Sequence, residues 1–369
     1  MSSFKFSILK KNKNSIARVG VISTPHGDIE TPAFVPVGTN GSIKACTQDH
    51  IDLLGVQLMF CNTYHLVVHP GSEVVKSAGG IHKYINRKSP IITDSGGFQI
   101  FSLTYGGVHQ ELKSKGIKKI NHLPIKVSED GVQFQSYRDG RKIFLSPELS
   151  IDAQKNIGAD IIITLDELLP YHTDIDVFKS SFYRNHRWQI RSYEQHKRNA
   201  SDQALYPVIH GGLYEEFRKE SCKILSRYDF DGYAIGGSLG KCTADVKNVL
   251  DYSIPYLDDS KPRHLLGIAD IPTLKVAIEN GIDTFDSSYP TKCARHGMLF
   301  TDEKTIKIGQ LKWKNYHKPI SNAPICKEYT VAYLHHLYKM KEPVYATLAS
   351  MHNIWYLNEL CRKIRENIV

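Results

Sequence analysis

Short apolar runs recur along the chain, each ending in a polar residue or a glycine. Pro90-Ile-Ile-Thr-Asp94 leads into Ser95-Gly96-Gly97, and Ile161-Ile-Ile-Thr-Leu-Asp166 into Glu167. Tyr206-Pro-Val-Ile-His210 leads into Gly211-Gly212, and Tyr233-Ala-Ile-Gly236 into Gly237-Ser238. His264-Leu-Leu-Gly267 and Ile282-Asp-Thr-Phe-Asp286 close the series. Runs this short and this evenly apolar predict buried parallel strands, not helices or half-exposed strands. Helix-like stretches lie between them. Ser146-Pro147-Glu148 opens one, with serine as N-cap and proline in the first turn. Glu215 to Leu225 and Thr273 to Asn280 are others, the last stopping at Gly281.

Strand, loop and helix in repeated succession predict a parallel α/β fold. A closed (β/α)8 TIM barrel is favoured over an open doubly wound sheet. The polar residues fall at strand C-termini, which in a barrel converge on one face, whereas an open sheet has one switch-point crevice. Two regions break the rhythm. Residues 105–126 are polar and rich in glycine and lysine, an insertion expected to run over the surface. After Gly309 the strand signal fades, and Tyr329 to Met340 and His352 to Glu366 read as helices. In the second, Ile354, Leu357, Cys361 and Ile364 share one face. The expected organisation is a barrel core over 1–309, with an N-terminal extension, and a helical subdomain over 310–369 packed on it.

Composition narrows the class. Of 369 residues, 41% are hydrophobic and 23% charged, which suits a globular chain and excludes disordered, collagen-like and membrane classes. No apolar run approaches the roughly 18–20 residues that span a bilayer. Met1 to Asn14 is polar and lysine-rich, without a secretory pattern. Seven cysteines, an odd number with no CxxC pair, argue against a disulfide framework and for a reducing cytoplasm. Against 38 acidic residues stand 47 basic ones, a net charge of +9 that gives modest support to a polyanionic partner. Neither GxGxxG nor a P-loop sequence is present.

Asp94, Asp166 and Asp286 each end a strand-like run. In a barrel all three point into one mouth, where a carboxylate is costly to desolvate unless it has a task. Any one alone could be a helix cap. Two facing carboxylates suit chemistry at an anomeric carbon, and retaining double displacement places them roughly 5–5.5 Å apart. After Asp94 come Ser95, Gly96, Gly97 and Phe98, where glycines permit close backbone approach. Phe98 is either a stacking platform for a planar ring or an ordinary core residue. Lys292 and Arg295 are either phosphate contacts or a solvated basic loop. Arg184, Arg187 and Arg191 make one basic helical face, read as exposed surface before phosphate track.

Thr93-Asp94-Ser95-Gly96-Gly97-Phe98-Gln99, Gly211-Gly212-Leu213-Tyr214, Gly232-Tyr233-Ala234-Ile235-Gly236-Gly237, and Phe285-Asp286 with Pro290-Thr291 stand in a distinctive order. With Asn62-Thr63-Tyr64-His65-Leu66, Leu145-Ser146-Pro147-Glu148 and Ala332-Tyr333-Leu334-His335-His336-Leu337, the chain resembles the bacterial-type tRNA-guanine transglycosylases over nearly its whole length. The resemblance implies a (β/α)8 barrel that exchanges guanine at the tRNA wobble position for a 7-deazaguanine, preQ1 or queuine, through a covalent tRNA intermediate. It implies Asp286 as nucleophile and Asp94 as general acid/base. It implies a base pocket of Ser95, Gly96, Gly97, Phe98, Asp166, His210, Gly237 and Leu266, with Phe98 and Leu266 sandwiching the base. It further implies tRNA contacts from the loop Gly267, Ile268, Ala269, Asp270, Ile271, Pro272 and Thr273. A second set comes from Thr291, Lys292, Cys293, Ala294 and Arg295. A homodimer is implied, and no cofactor is needed for the chemistry.

Departures from the family pattern touch the base pocket and a metal motif. His210 stands where glutamine is usual, and Leu168 where many bacterial members have cysteine. The loop Gly236 to Lys241 is about one residue shorter than usual. Together these lead us to expect an altered base preference, toward the larger queuine. The family's zinc pattern is CxCxxC with a later histidine. Here Ser321 and Ala323 fill the first two positions, leaving Cys326 and His352. A structural zinc normally takes four N/S ligands, so weak or absent zinc is expected unless His317 or another residue substitutes. Two rival readings are weaker. A non-catalytic accessory subunit would be expected to lose Asp94 and Asp286, and both remain. A sugar-cleaving barrel would favour aromatic platforms, and the chain has three tryptophans.

Overall fold

The structure is a computed structural model that describes residues 4–99, 125–136, 138–170, 173–198, 201–268 and 270–368. The expected insertion at 105–126 lies outside them except for its last two residues, and Ala269 also lies outside.

The fold is mixed α/β, built on parallel strands. One sheet pairs Ala204–Tyr206, Ile161–Ile163, Ile91–Thr93 and Met59–Cys61 in that order. A second pairs Val208–Ile209, Tyr233–Ile235, Arg263–Leu265, Thr284–Ser287 and Ala33–Pro36. Every pairing within these two sheets is parallel. Each apolar run of the sequence analysis supplies a strand. Their even hydrophobicity is explained by burial on both faces. Phe34, Ile91, Ile162, Leu265 and Phe285 enter one apolar cluster, while Val35, Ile92, Ile161 and Ala234 enter another.

Local signals set the helices. Ser146 Oγ accepts from the Leu149 amide at 3.2 Å, Pro147 opens the helix Pro147–Ile157, and left-handed Gly158 ends it. Glu215–Leu225 is a helix over the expected span. Ile271–Glu279 begins two residues before the expected Thr273, because Asp270 caps it by accepting from the Thr273 amide at 3.1 Å. The last helix, Pro343–Asn367, begins nine residues before the expected His352. Its buried face continues upstream through Tyr345, Leu348 and Met351, and the buried Ser350, His352 and Asn353 interrupt the apolar stripe that would have revealed it. Ile354, Leu357 and Cys361 lie in the same apolar cluster as Phe34 and Phe285, so this helix and the parallel strands share a core.

The N-terminal ends of the strands are stapled by ions. Buried Asp283 accepts from Arg18 Nε at 3.0 Å and Nη2 at 2.6 Å, tying the antiparallel sheet of Lys5–Lys11, Arg18–Thr24 and Gly27–Thr31 to this end. Chemistry gathers at the opposite end.

Candidate active site

Because the strands are parallel, the residues that follow them emerge on one side. Asn62 and Thr63 follow Met59–Cys61, Asp94 and Ser95 follow Ile91–Thr93, and Asp166 lies just beyond Ile161–Ile163. His210 follows Val208–Ile209, Gly237 follows Tyr233–Ile235, Leu266 and Gly267 follow Arg263–Leu265, and Asp286 lies within Thr284–Ser287.

Asp94 is 8% exposed. Its Oδ1 accepts from the Thr63 amide at 2.7 Å, and its Oδ2 from Asn62 Nδ2 at 2.6 Å and Gln99 Nε2 at 3.0 Å. Burial pushes its pKa up to about 6, the three donors pull the other way, and the charge on Asp286 adds to the rise. The two carboxylates are therefore within electrostatic reach of each other. Asp286 is 6% exposed. Its Oδ1 accepts from the Gly267 amide at 2.9 Å and lies 3.2 Å from His264 Nε2.

Asp166 is held between two partners. Ser95 Oγ lies 3.3 Å from its Oδ1, and His210 Nε2 lies 3.1 Å from its Oδ2. Gly97 packs directly over it. A Cβ there would sit 2.1 Å from the Asp166 carbonyl oxygen, so only glycine fits. Gly237 has φ of +73°, and a Cβ would sit 3.1 Å from His210 Nδ1. The Gly211-Gly212 and Gly236-Gly237 turns are held together by Arg218, whose guanidinium is buried and donates to the carbonyls of Ile209, Gly212, Gly236 and Ser238. Phe98 is 44% exposed, which removes the core alternative for it. Leu266 is half-buried.

The tRNA-contact positions divide. Gly267 and Pro272 are exposed, and Ile268, Asp270 and Ile271 are half-buried. Asp270 and Thr273 are also occupied in helix capping, with Thr273 Oγ1 2.8 Å from Thr243 Oγ1. Lys292 and Arg295 lie on a short helix, Tyr289–Arg295, directly after the Asp286 strand, and not on a loop. Thr291, Cys293 and Ala294 form its buried side. Lys292 is exposed, and Arg295 Nη1 is buried with no hydrogen-bond partner among the described residues. By contrast Arg184, Arg187 and Arg191 are each paired, with Glu167, Glu129 and Glu148, which favours the structural reading of that face.

At the metal motif, Ser321 Oγ lies 2.8 Å from His352 Nδ1, and His352 Nε2 donates to the Phe300 carbonyl at 2.7 Å. Cys326 Sγ donates to the Leu348 carbonyl at 3.3 Å, and Ala323 offers only a methyl group. This set does not fit a four-ligand zinc site. Among the described residues the only three-member cluster of potential ligands is His26, His82 and Asp160. There the His26 and His82 rings stack 3.5 Å apart against the carboxylate at the strands' N-terminal ends.

Asn62, Gln99, Arg218 and His264 were given no role by the sequence. His264 had a signal, a histidine inside an apolar strand. Arg218 had none, since Glu216 to Glu220 reads as a charged outer helix face.

Two buried carboxyls within electrostatic reach of each other, with close-packed glycines around Asp166 and His210, make these strand ends the candidate active site. Residues 13–369 match the family model described as queuine tRNA-ribosyltransferase. A queuine tRNA-ribosyltransferase of Chlamydia muridarum is 51% identical over 371 positions, spanning 100% of this chain and 99% of the relative. One from Protochlamydia amoebophila is 50% identical over 371 positions, spanning 100% and 96%. The chain belongs to the queuine tRNA-ribosyltransferase family and is a tRNA-guanine transglycosylase enzyme. The family acts on tRNA, exchanging guanine in queuosine modification. No helix among the described residues is long and apolar enough to cross a membrane.

Proposed function

We propose that the enzyme replaces the wobble guanine of tRNA by a 7-deazaguanine through retaining double displacement. The single observation that carries this is the contrast between the two acids. Asp94 titrates at about 6, while Asp286 stands under two donors at one oxygen. Asp286 attacks C1′ of the extruded nucleotide, the C1′–N9 electron pair leaves with guanine, and Asp94 gives that base a proton. The incoming base then loses its N9 proton to Asp94, its N9 takes C1′, and the Asp286 carboxylate is released. Phe98 and Leu266 stack on the base, and Asp166, His210, Ser95, Gly96, Gly97 and the Gly237 backbone read its edge. Lys292, Arg295 and the Gly267 to Thr273 loop meet the anticodon loop.

The two parallel sheets form one closed (β/α)8 barrel in this reading. Its support is continuity at both seams. Val37 bridges in parallel to Phe60, and Ala204–Tyr206 runs through Pro207 into Val208–Ile209. Residues 310–369 form the helical appendage, which holds together without tightly bound zinc. The exposed Tyr333, stacked between Tyr329 and His336, gives a surface for a homodimer. The seven cysteines are all free, which suits a reducing cytoplasm.

The incoming base is queuine in preference to preQ1. His210 brings an imidazole where the family usually has an amide, and beside it Leu168, Leu169 and Phe178 line a small cavity. The test is release of labelled guanine from purified tRNA with queuine or preQ1 supplied separately. Exchange with queuine several times faster supports the reading, and equal or faster preQ1 turnover removes the base preference. Absence of guanine release with any base removes the function.

A further inference from the structure

We propose that His264 is a positioning residue for the nucleophile, fixing which oxygen of Asp286 attacks; this rests on the double-displacement reading above. His264 lies inside the strand Arg263–Leu265 and is 0% exposed. Its Nε2 is 3.2 Å from Asp286 Oδ1, its Nδ1 is 2.9 Å from Thr284 Oγ1, and its ring stacks on Phe60 at 5.9 Å between centroids.

With a neutral imidazole the three groups leave one consistent proton arrangement. An ionised Asp286 can only accept, so the proton facing it belongs to His264 Nε2. Nδ1 is then an acceptor, and the Thr284 hydroxyl donates to it. Thr284 therefore sets the tautomer of the histidine, and the histidine sets the carboxylate. With the Gly267 amide at 2.9 Å, Oδ1 receives two donors. Oδ2 has no hydrogen bond to any described residue.

The consequence is a division of labour within one carboxylate. Oδ2 supplies the electron pair for the new bond to C1′, as the C1′–N9 pair departs with guanine and the base gains the proton from Asp94. Oδ1 becomes the carbonyl oxygen of the glycosyl ester and stays under its two donors. When the incoming base displaces the ester, those donors receive the returning negative charge. A buried donor aimed at a fixed oxygen needs no reorganisation during either step. Two donors on one oxygen also hold the carboxylate plane, so Oδ2 meets C1′ in one orientation.

The test compares His264→Leu, which removes the donor, with His264→Gln, whose amide nitrogen reaches about as far as Nε2. Thr284→Val keeps the histidine but removes the hydroxyl that sets its tautomer. Single-turnover formation of the covalent tRNA adduct and steady-state guanine exchange are measured beside thermal unfolding. His264→Leu is expected to lower kcat about tenfold to a hundredfold, with the KM for tRNA within about twofold, as loss of a donor to a charged group predicts. His264→Gln is expected to recover most of that loss, and Thr284→Val to show a partial loss. A folded His264→Leu with wild-type kcat overturns the proposal, as does equal impairment of the Leu and Gln variants. If His264→Leu does not fold, wild-type kcat in Thr284→Val overturns it. Asp286→Asn is the separate control. Adduct surviving in that variant refutes the double-displacement reading itself, whatever His264 does.

Discussion

Asp94 and Asp286 stand at the ends of strands separated by two others, Met59–Cys61 and Ala33–Pro36, yet the charge on Asp286 still raises the pKa of Asp94. Burial is the larger cause, and together they bring Asp94 to about 6 against the pull of Asn62, Thr63 and Gln99. A carboxyl titrating there can hold a proton for a departing base and lose it before an incoming one arrives. On the proposed mechanism two aspartates thereby take two roles through their surroundings.

Asp94→Asn removes the proposed proton carrier and is expected to slow guanine release by about 10²- to 10⁴-fold, the range for general acid–base catalysis. On the proposed mechanism the first half-reaction needs Asp94 protonated. Its wild-type rate should therefore fall as pH rises through the pKa near 6, and the residual rate of the variant should lack that limb. Rapid-quench measurement of adduct formation across pH checks both. A wild-type profile that rises over this range contradicts the assignment.

The same shift has a stability signature. Asp94 titrates near 6 in the fold and at its ordinary 3.8 when unfolded, so the native state binds more protons between those values. Stability therefore falls as pH rises across that window, by about 1.4 kcal/mol per unit at most. Asparagine does not titrate, so the stability of Asp94→Asn relative to wild type should increase from pH 4 to pH 6.5, by up to roughly 3 kcal/mol. Urea denaturation of both proteins at both pH values measures it. A constant difference means that Asp94 does not titrate there.

Gly97→Ala puts a methyl carbon 2.1 Å from the Asp166 carbonyl oxygen and 2.6 Å from its Oδ1. The first contact is backbone and cannot swing aside. Asp166 must move off Ser95 and His210, and its carboxylate, which on the proposed reading meets the base edge, moves with it. We expect the KM for the incoming base to rise about tenfold or more, since even one lost hydrogen bond to a charged group is worth about that much. Unchanged base affinity in a folded variant would show that Asp166 does not read the base.

Legibility from sequence followed chemistry that leaves a local mark. Asp94, Asp166 and Asp286 were legible because a carboxylate ending an apolar run is expensive without a role. The caps at Ser146 and Gly158 and the buried face of Ile354, Leu357 and Cys361 follow from short-range rules. The partners that tune the acids were harder to find. Asn62 and Gln99 act on Asp94 across a turn or between strands, and although both stand in motifs of the family, those motifs do not say that the two side chains donate to Asp94. The Arg184, Arg187 and Arg191 face was ambiguous because its carboxylate partners are remote in sequence, as with Glu129 and Arg187.

Zinc analysis tests the degenerate motif. Cys326 and His352 both use their ligand atoms in hydrogen bonds to Leu348, Ser321 and Phe300. The purified enzyme should hold much less than one zinc per chain, and chelator should leave its unfolding temperature unchanged. Retention of stoichiometric zinc after chelation, or a drop in unfolding temperature on adding chelator, contradicts this.

Arg218 has four carbonyl partners and no carboxylate, at distances of 2.8 to 3.0 Å. Burial lowers its pKa to about 9, which leaves it charged at neutral pH. Its planar fork spans two glycine turns that a single ammonium cannot bridge. Arg218→Lys is therefore expected to behave as a non-conservative change. It should lose about 2–5 kcal/mol of stability, because several buried acceptors lose their donors at once. Where enough folded protein remains, the KM for the base should rise at least about tenfold, because Gly237 is set by this clamp, and kcat should change less. Differential scanning calorimetry with steady-state exchange measures both effects. Full stability and unchanged KM in Arg218→Lys would mean that the two turns hold their shape without the guanidinium.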